Sequence, residues 1–354
     1  MLPINRLDIH TPVPDECTTP SDRLECGARE TGAGHRDFPM GWIGGGVQML
    51  ITQQVISGLM LGGIYVMVAV AFTLTIGMLN FLNFTIPPIF MIAGMVGWGL
   101  AYYGLPFGLS DGGIHWALAL SIGLISAMAA SLLVERFTYR YLKTKYGDAT
   151  EHAIPLVSSL GFLLIFENLI LIFLGSDSQA FPTPFHDANL RFAGLIVSIP
   201  QLVCLVLSLG IVFGISSMLK GTRTGRALRS IAENPDVSTI LGVNVFRIVP
   251  VMFLITGALC GVAGVIFTLN YHEVSVYMGN EVAAKAIAAM VIGGLGNIWG
   301  AVAGGIIVGI VETLSTHFFG ADTIKISVWG FLLVVLVIKP QGLFGHTRIG
   351  KGKF

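Results

Sequence analysis

From about Gln53 onward the chain is a series of long apolar runs broken by short polar interruptions. The runs fall near 54–76, 86–104, 114–134, 153–174, 194–219, 250–271, 284–295, 298–316 and 326–338. Most hold about 20 residues, the length an α-helix needs to cross ~30 Å of hydrocarbon. The run at 284–295 is the shortest. The pattern therefore predicts an all-α, polytopic transmembrane helical bundle of eight or nine spans, the short segment either crossing or re-entering. Pro87, Pro88 and Pro155 lie inside runs. A membrane bundle tolerates them because neighbouring helices satisfy the backbone groups they free.

Residues 1–45 differ. They are rich in Pro, Gly, Thr, Asp and Arg and show no apolar periodicity, so a disordered tail is expected: too little surface is buried to offset the entropy of ordering. The tail lacks the basic start, apolar stretch and small-residue cleavage site of a secretory signal. Met40 and Met49 each stand where translation of the apolar body could begin. The transmembrane domain is expected over 46–345, followed by a basic cytoplasmic tail at 346–354.

Basic residues cluster in three places: Arg136, Arg140, Lys143 and Lys145; Lys220, Arg223, Arg226, Arg229 and Arg247; and Lys339, Arg348, Lys351 and Lys353. By the positive-inside rule these segments face the cytoplasm. The segment from Gly175 to Arg191 carries Asp177 and Asp187 against one arginine, and the segment around Glu273 and Glu281 is acidic up to Lys285. Both read as external. Nine spans place the N-terminal tail outside; eight place it inside unless one segment re-enters.

Composition agrees with the runs. Of 354 residues, 54% are hydrophobic and 11% charged, against roughly 25% charged in soluble domains. Twenty basic residues balance twenty acidic ones, which leaves no electrostatic case for a nucleic-acid partner. Cys17 and Cys26 lie in the tail, and Cys204 and Cys260 sit in apolar runs as packing residues. The eight histidines show no metal-ligand spacing, so no metal site is expected. Small residues recur at four-residue spacing, as in Gly58 and Gly62, Gly257 and Gly261, Gly300 and Gly304, and Gly305 and Gly309. Such pairs let helix backbones approach closely and predict a compact bundle.

Motifs for covalent chemistry are missing. The tail Gly345-His346-Thr347-Arg348-Ile349-Gly350-Lys351-Gly352 nearly spells a phosphate-binding loop, but Gly352 replaces the hydroxyl residue that would hold magnesium. No His-Glu-x-x-His or Cys-x-x-Cys appears, so no catalytic residue is assigned. Polar groups at membrane depth are few: Asn80 and Asn83 after the first run, Glu167 and Asn168 in the fourth, Asn297 before the eighth and Glu312 within it. Each needs the bundle interior, water or a partner. Glu167 meets that need either by lining a translocation path or by bonding a neighbouring helix. Glu312, towards the external end, reads as structural. No chain of acids and histidines suggests a proton pump.

The stretch 220–249 is basic, amphipathic and long for a connector. Its run Arg226-Ala227-Leu228-Arg229-Ser230-Ile231-Ala232-Glu233-Asn234-Pro235-Asp236, followed by Leu241-Gly242-Val243-Asn244 and Arg247, resembles the coupling loop of branched-chain amino acid ABC transporter permeases. Downstream, Ala286 to Asn297 and Gly300 to Gly305 resemble that family's Gly-rich segment, and Lys339-Pro340-Gln341-Gly342-Leu343-Phe344-Gly345 is similar to its terminal signature. The likeness runs from about Gln53 to Gly345.

The resemblance implies a permease subunit of the bacterial inner membrane that pairs with a second permease, two cytoplasmic ATPases and an extracytoplasmic solute-binding protein. ATP would be hydrolysed by the partner subunits, with no cofactor on this chain. Arg226, Arg229, Ala232, Glu233, Asn234, Asp236 and Gly242 are then the expected ATPase-coupling residues; Asn234 and Asp236 also suit a helix cap, and Gly242 a sharp turn. Asn80, Phe81, Asn83, Glu167, Asn168 and Asn297 are the expected substrate-path residues. After the first span the family shows Asn-Phe-Ala-His-Gly-Glu where this chain has Asn80-Phe81-Leu82-Asn83-Phe84-Thr85. The expected solutes are therefore branched-chain amino acids or another small solute such as an amide or urea. A self-contained channel or ion-coupled carrier is the alternative, and a membrane-embedded enzyme finds no constellation to support it.

Overall fold

The computed structural model describes residues 40–79, 81–104, 115–141, 153–181, 189–192 and 195–345. The expected tail up to residue 39, the basic C-terminal residues 346–354 and Asn80 lie outside the described residues. Helix α1 (Met40–Leu79) begins inside the stretch expected as tail; Gly41 to Leu50 carries no charge, although Gly44, Gly45 and Gly46 are weak helix formers. No residue from Ile64 to Phe72 exceeds 2% exposure. A helix apolar on every face is a buried one, and this segment forms the middle of the bundle.

Around it the chain lays down α2 (Ile86–Tyr103), α3 (Trp116–Val134, prolonged by a π turn over Glu135–Arg140), α4 (Ala153–Leu174) and α5 (Ile199–Gly221). Two short helices on the basic side follow, α6 (Arg223–Glu233) and α7 (Pro235–Ile240), then α8 (Val245–Tyr271), α9 (Met278–Gly293), α10 (Ile298–Phe319) and α11 (Ile324–Ile338). Seven of the described helices are long and apolar enough to cross a membrane, and α11 is a shorter apolar helix. The segment expected at 284–295 is the second half of α9, whose 16 residues are mostly buried against other helices. The span expected from 194 starts later. Residues 195–198 form strand β3, paired antiparallel with β2 (Asn189–Phe192), and Pro200 in the first turn of α5 marks the helix start.

Glycines set the spacing. A Cβ on Gly58 or Gly62 of α1 would meet the backbone of Gly309, Ile310, Gly305 and Ile306 on α10. Gly257 and Gly261 of α8 lie against Ser131, Leu124 and Ala127 of α3, and Gly264 against Phe90 of α2. Gly300 and Gly304 face Gly293 and Ala289 of α9. These are the close backbone approaches that small residues permit in lipid. Ser131 adds a bond, its Oγ donating to the Phe253 carbonyl at 2.6 Å. Pro250 inside α8 cannot bond to the Phe246 carbonyl one turn back. Arg140 Nη2 donates to that oxygen instead, at 3.2 Å.

The end of α1 at Gly77 approaches Gly296, between α9 and α10. The strap Lys339–Gly345 closes over the same turn: Leu343 N–H donates to Ile292 O at 2.7 Å and Phe344 N–H to Gly293 O at 3.1 Å. These ends therefore share the basic side. On the opposite side β1 (Gln179–Ala180) pairs with β4 (Glu273–Val274), and Trp98 Nε1 of α2 donates to Ala180 O at 3.2 Å. The two sides match the basic and acidic segments of the sequence, with Leu50 at the acidic end of the α1 span.

Candidate functional site

Two features stand out from the packed bundle: an arm on the basic side and a charged cluster between helices. In the arm, Thr222 Oγ1 accepts the Gly225 N–H at 3.0 Å and starts α6. Gly225, Leu228 and Ile231, three residues apart, are buried, with Gly225 against Met218 and Leu219 at the end of α5. Arg226, Arg229 and Glu233 face outward and Ala232 is half-buried. Arg226 and Arg229 reach the last carbonyls of α5, Gly221 and Lys220, at 3.4 and 3.5 Å, where cations suit the helix dipole. Asn234 Oδ1 accepts the Val237 N–H at 3.2 Å and so caps α7. The backbone of Asp236 lies in α7; its side chain lies outside the described residues. Gly242 has φ +83° and makes the expected turn. The tip of the arm is apolar: Ile240 is 83% and Leu241 74% exposed.

The second feature joins α1, α9 and α10. Tyr65 hydroxyl donates to Glu312 Oε2 at 2.6 Å. Lys285 Nζ donates to Glu312 Oε1 at 2.5 Å and to the Tyr65 hydroxyl at 3.2 Å, and lies 5.6 Å from the centre of the Tyr65 ring. The side chains of Lys285 and Glu312 are 21% and 9% exposed. Both oxygens of the carboxylate thus have donors, as a charge at this depth requires. Beside the cluster is a cavity of about 250 Å³, reached also by Phe267 and Tyr271 of α8, by Glu273 and Ser275 of the turn between α8 and α9, and by Met278, Glu281 and Val282 of α9. Glu281 and Lys285 also border a larger cavity of about 600 Å³ between α9 and α11.

The expected path residues do not converge on one place. Phe81 and Asn83 are buried, and Asn83 Oδ1 accepts both N–H and Oγ1–H of Thr85, which shapes the turn into α2. Glu167 Oε1 accepts the side-chain amide of Asn280 on α9 at 2.5 Å. That is the helix-to-helix bond its sequence position allows. Asn168 faces outward and bonds back to Leu164 O of its own helix at 2.8 Å. Asn297 caps α10, accepting from Trp299 and Gly300 N–H, and donates to Phe344 O of the strap at 3.2 Å. Its amide is committed to holding the turn between α9 and α10.

Lys285 and Tyr65 were not legible as site residues. The sequence places Lys285 at the very start of the short run 284–295, next to the acidic external segment, whereas α9 begins at Met278 and carries Lys285 two turns into the bundle. A lysine among Ala283, Ala284, Ala286 and Ile287, four residues after Glu281, was the available signal. Tyr65 is masked by apolar neighbours on both sides. Glu312, read as structural, is the acceptor that organises the cluster. Among the described residues no group of His, Cys, Asp or Glu has the geometry to hold a metal ion.

A family model for the permease component of branched-chain amino acid transport systems matches residues 54–338. A high-affinity branched-chain amino acid transport system permease protein of Pseudomonas aeruginosa is 28% identical over 305 residues, covering 84% of this chain and 97% of the relative. The corresponding permease protein of Escherichia coli K12 is 28% identical over 310 residues, covering 86% and 98%. A fructose import permease protein of Bifidobacterium longum is 24% identical over 302 residues, covering 81% and 83%. With its seven long apolar helices, the chain is a multi-pass protein of the bacterial inner membrane.

Proposed function

The chain belongs to the permease components of branched-chain amino acid transport systems, and from that premise we propose that it is a membrane-spanning subunit of an ABC importer for branched-chain amino acids or a related small solute. It works with a second permease, two cytoplasmic ATPases and an external solute-binding protein. The ATPases hydrolyse ATP, and this chain binds no cofactor and performs no covalent chemistry. The observation that carries this reading is the arm. A short helix whose apolar tip, Val237, Ile240 and Leu241, stands exposed on the basic side is an interaction surface, and an ATPase groove is the partner an importer supplies there. Arg226, Arg229, Ala232, Glu233, Asn234, Asp236 and Gly242 then build or flank the docking helix.

The test is co-purification in mild detergent of the tagged chain expressed with its genomic neighbours. Wild type retains an ATPase; Ile240→Asp with Leu241→Asp loses it while the permease itself stays folded. An ATPase retained equally by the double variant would move the docking site elsewhere. A chain that retains no ATPase and carries solute alone in vesicles would be a channel or carrier.

A further inference from the structure

We infer that the cavity beside the Lys285–Glu312 pair is a binding station for an α-amino acid zwitterion, in which Lys285 takes the carboxylate, Glu281 and Glu273 the ammonium group, and Phe267, Met278 and Val282 the aliphatic side chain. The assignment rests on the importer function proposed above and adds to it a place in the membrane and a solute chemistry.

Lys285 has three N–H donors. One goes to Glu312 and one to the Tyr65 hydroxyl, and its partly exposed ammonium borders the cavity. The third proton is available to a ligand. The ammonium is held from three directions, by Glu312, the Tyr65 hydroxyl and the Tyr65 ring, so little ordering remains to be done when a carboxylate arrives. Lys285 and Glu312 cancel in charge. What remains on the cavity wall is the pair of acids Glu273 and Glu281, both exposed at its outer end. The contact of Glu281 with Lys325 is loose, 3.8 Å between two largely exposed side chains.

Charge selects the ligand. A bare anion that reached Lys285 would pass two carboxylates, and a bare amine would leave the lysine unanswered. A neutral sugar would satisfy neither group fully. A molecule with both charges on one carbon answers both, and Glu281 and Lys285 are four residues apart on one helix, about 5–6 Å between Cβ atoms. The volume of about 250 Å³ falls just below the range of about 300–1,000 Å³ of drug-sized ligand sites and suits one solute smaller than those. Phe267, Met278 and Val282 supply the apolar wall that a branched side chain would cover.

The experiment uses the transporter purified with its ATPases and without the solute-binding protein, and measures equilibrium binding of L-leucine, 4-methylpentanoate and 3-methylbutylamine. Leucine is expected to bind, and the two single-charge analogues to bind about tenfold more weakly or worse, the scale of one lost charge-assisted contact. Glu281→Gln, at an exposed position, should weaken leucine by about tenfold. The exchanged pair Lys285→Glu with Glu312→Lys keeps an ion pair and should still lose leucine, because its ammonium now sits on α10. Leucine binding unchanged in Glu281→Gln would overturn the station, as would equal binding of all three probes. If the ATPases co-purify and leucine does not bind, the station falls and the importer stands. If no ATPase co-purifies, the importer function itself falls.

Discussion

Removing the Glu312 side chain while keeping Lys285 should be among the most damaging single changes in the bundle. Taking away one partner of a buried ion pair costs about 3–5 kcal/mol, because it strands a charge in low dielectric. Lys285 is 21% exposed, which sets the expectation for that loss at the lower end, about 3 kcal/mol. The Tyr65 hydroxyl, which donates to Glu312 at 2.6 Å, loses its acceptor as well and adds about 1 kcal/mol. Glu312→Leu is therefore expected to destabilise by about 4 kcal/mol. The triple variant Tyr65→Phe, Lys285→Met, Glu312→Leu removes every polar group of the cluster and leaves a core of similar volume, so it should lie within about 1 kcal/mol of wild type or above it. Stability is read as denaturant unfolding in mixed micelles, followed by tryptophan fluorescence. A triple variant as unstable as the sum of its three single changes would show that the groups do not act as a cluster, and the reasoning would fail.

The glycine contacts and the strap carry two more expectations. Gly305→Leu places a Cβ within 2.9 Å of Val66 N and Cα on α1, so α1 and α10 must part; a loss of about 2 kcal/mol is expected, whereas Gly161→Leu, with nothing within 4 Å, should leave the same unfolding curve unchanged. Gly342→Ala forces a Cβ into a backbone with φ +78° and 2.7 Å from Gly294 and Val291, at a cost of at least about 1–2 kcal/mol; hydrogen exchange at Leu343 and Phe344 should speed up about tenfold.

The membrane bundle was legible because lipid leaves a chain few options. Long uncharged runs become helices, and the basic and acidic segments sort to opposite sides. The glycine pairs were legible for the same reason, since only close backbone approach explains small residues at that spacing. The arm showed itself through its own pattern: Gly225, Leu228 and Ile231 at helical spacing within a basic stretch, then an asparagine cap and a glycine turn. What the sequence hid was tertiary. Asn297 and Asn83 look like free polar groups at membrane depth, and each is spent on a local turn that depends on where the next helix begins. Lys285 looks like the edge of a short apolar run until α9 is seen to start seven residues earlier. Glu312 acquires its partners only when α1 and α9, separated from it by most of the chain and by one turn respectively, are folded beside it.

The same packing governs how a displacement of the arm would travel. The arm leads directly into α8, whose 27 residues extend about 40 Å from Asn244 on the basic side to Tyr271 at the cavity. Gly257 and Gly261 let α8 sit close against the Ser131 and Leu124 side chains of α3, and Gly264 against the Phe90 carbonyl of α2. These three helices must therefore shift together. On the other side, Gly300 and Gly304 seat α10 on α9, and the strap binds the turn between them. Phe267 and Tyr271 reach the cavity from the first group, Lys285 and Glu312 from the second. The seam between the two groups runs through the cavity and is bridged where Gly279 meets Pro87. With an ATPase docked on α7, closure of the nucleotide sites would move the first group against the second. The distance between Glu281 at the mouth and Lys285 is fixed within α9, while Phe267 on α8 moves past them. A solute held by its charges would thus keep its anchor while its apolar cover shifts.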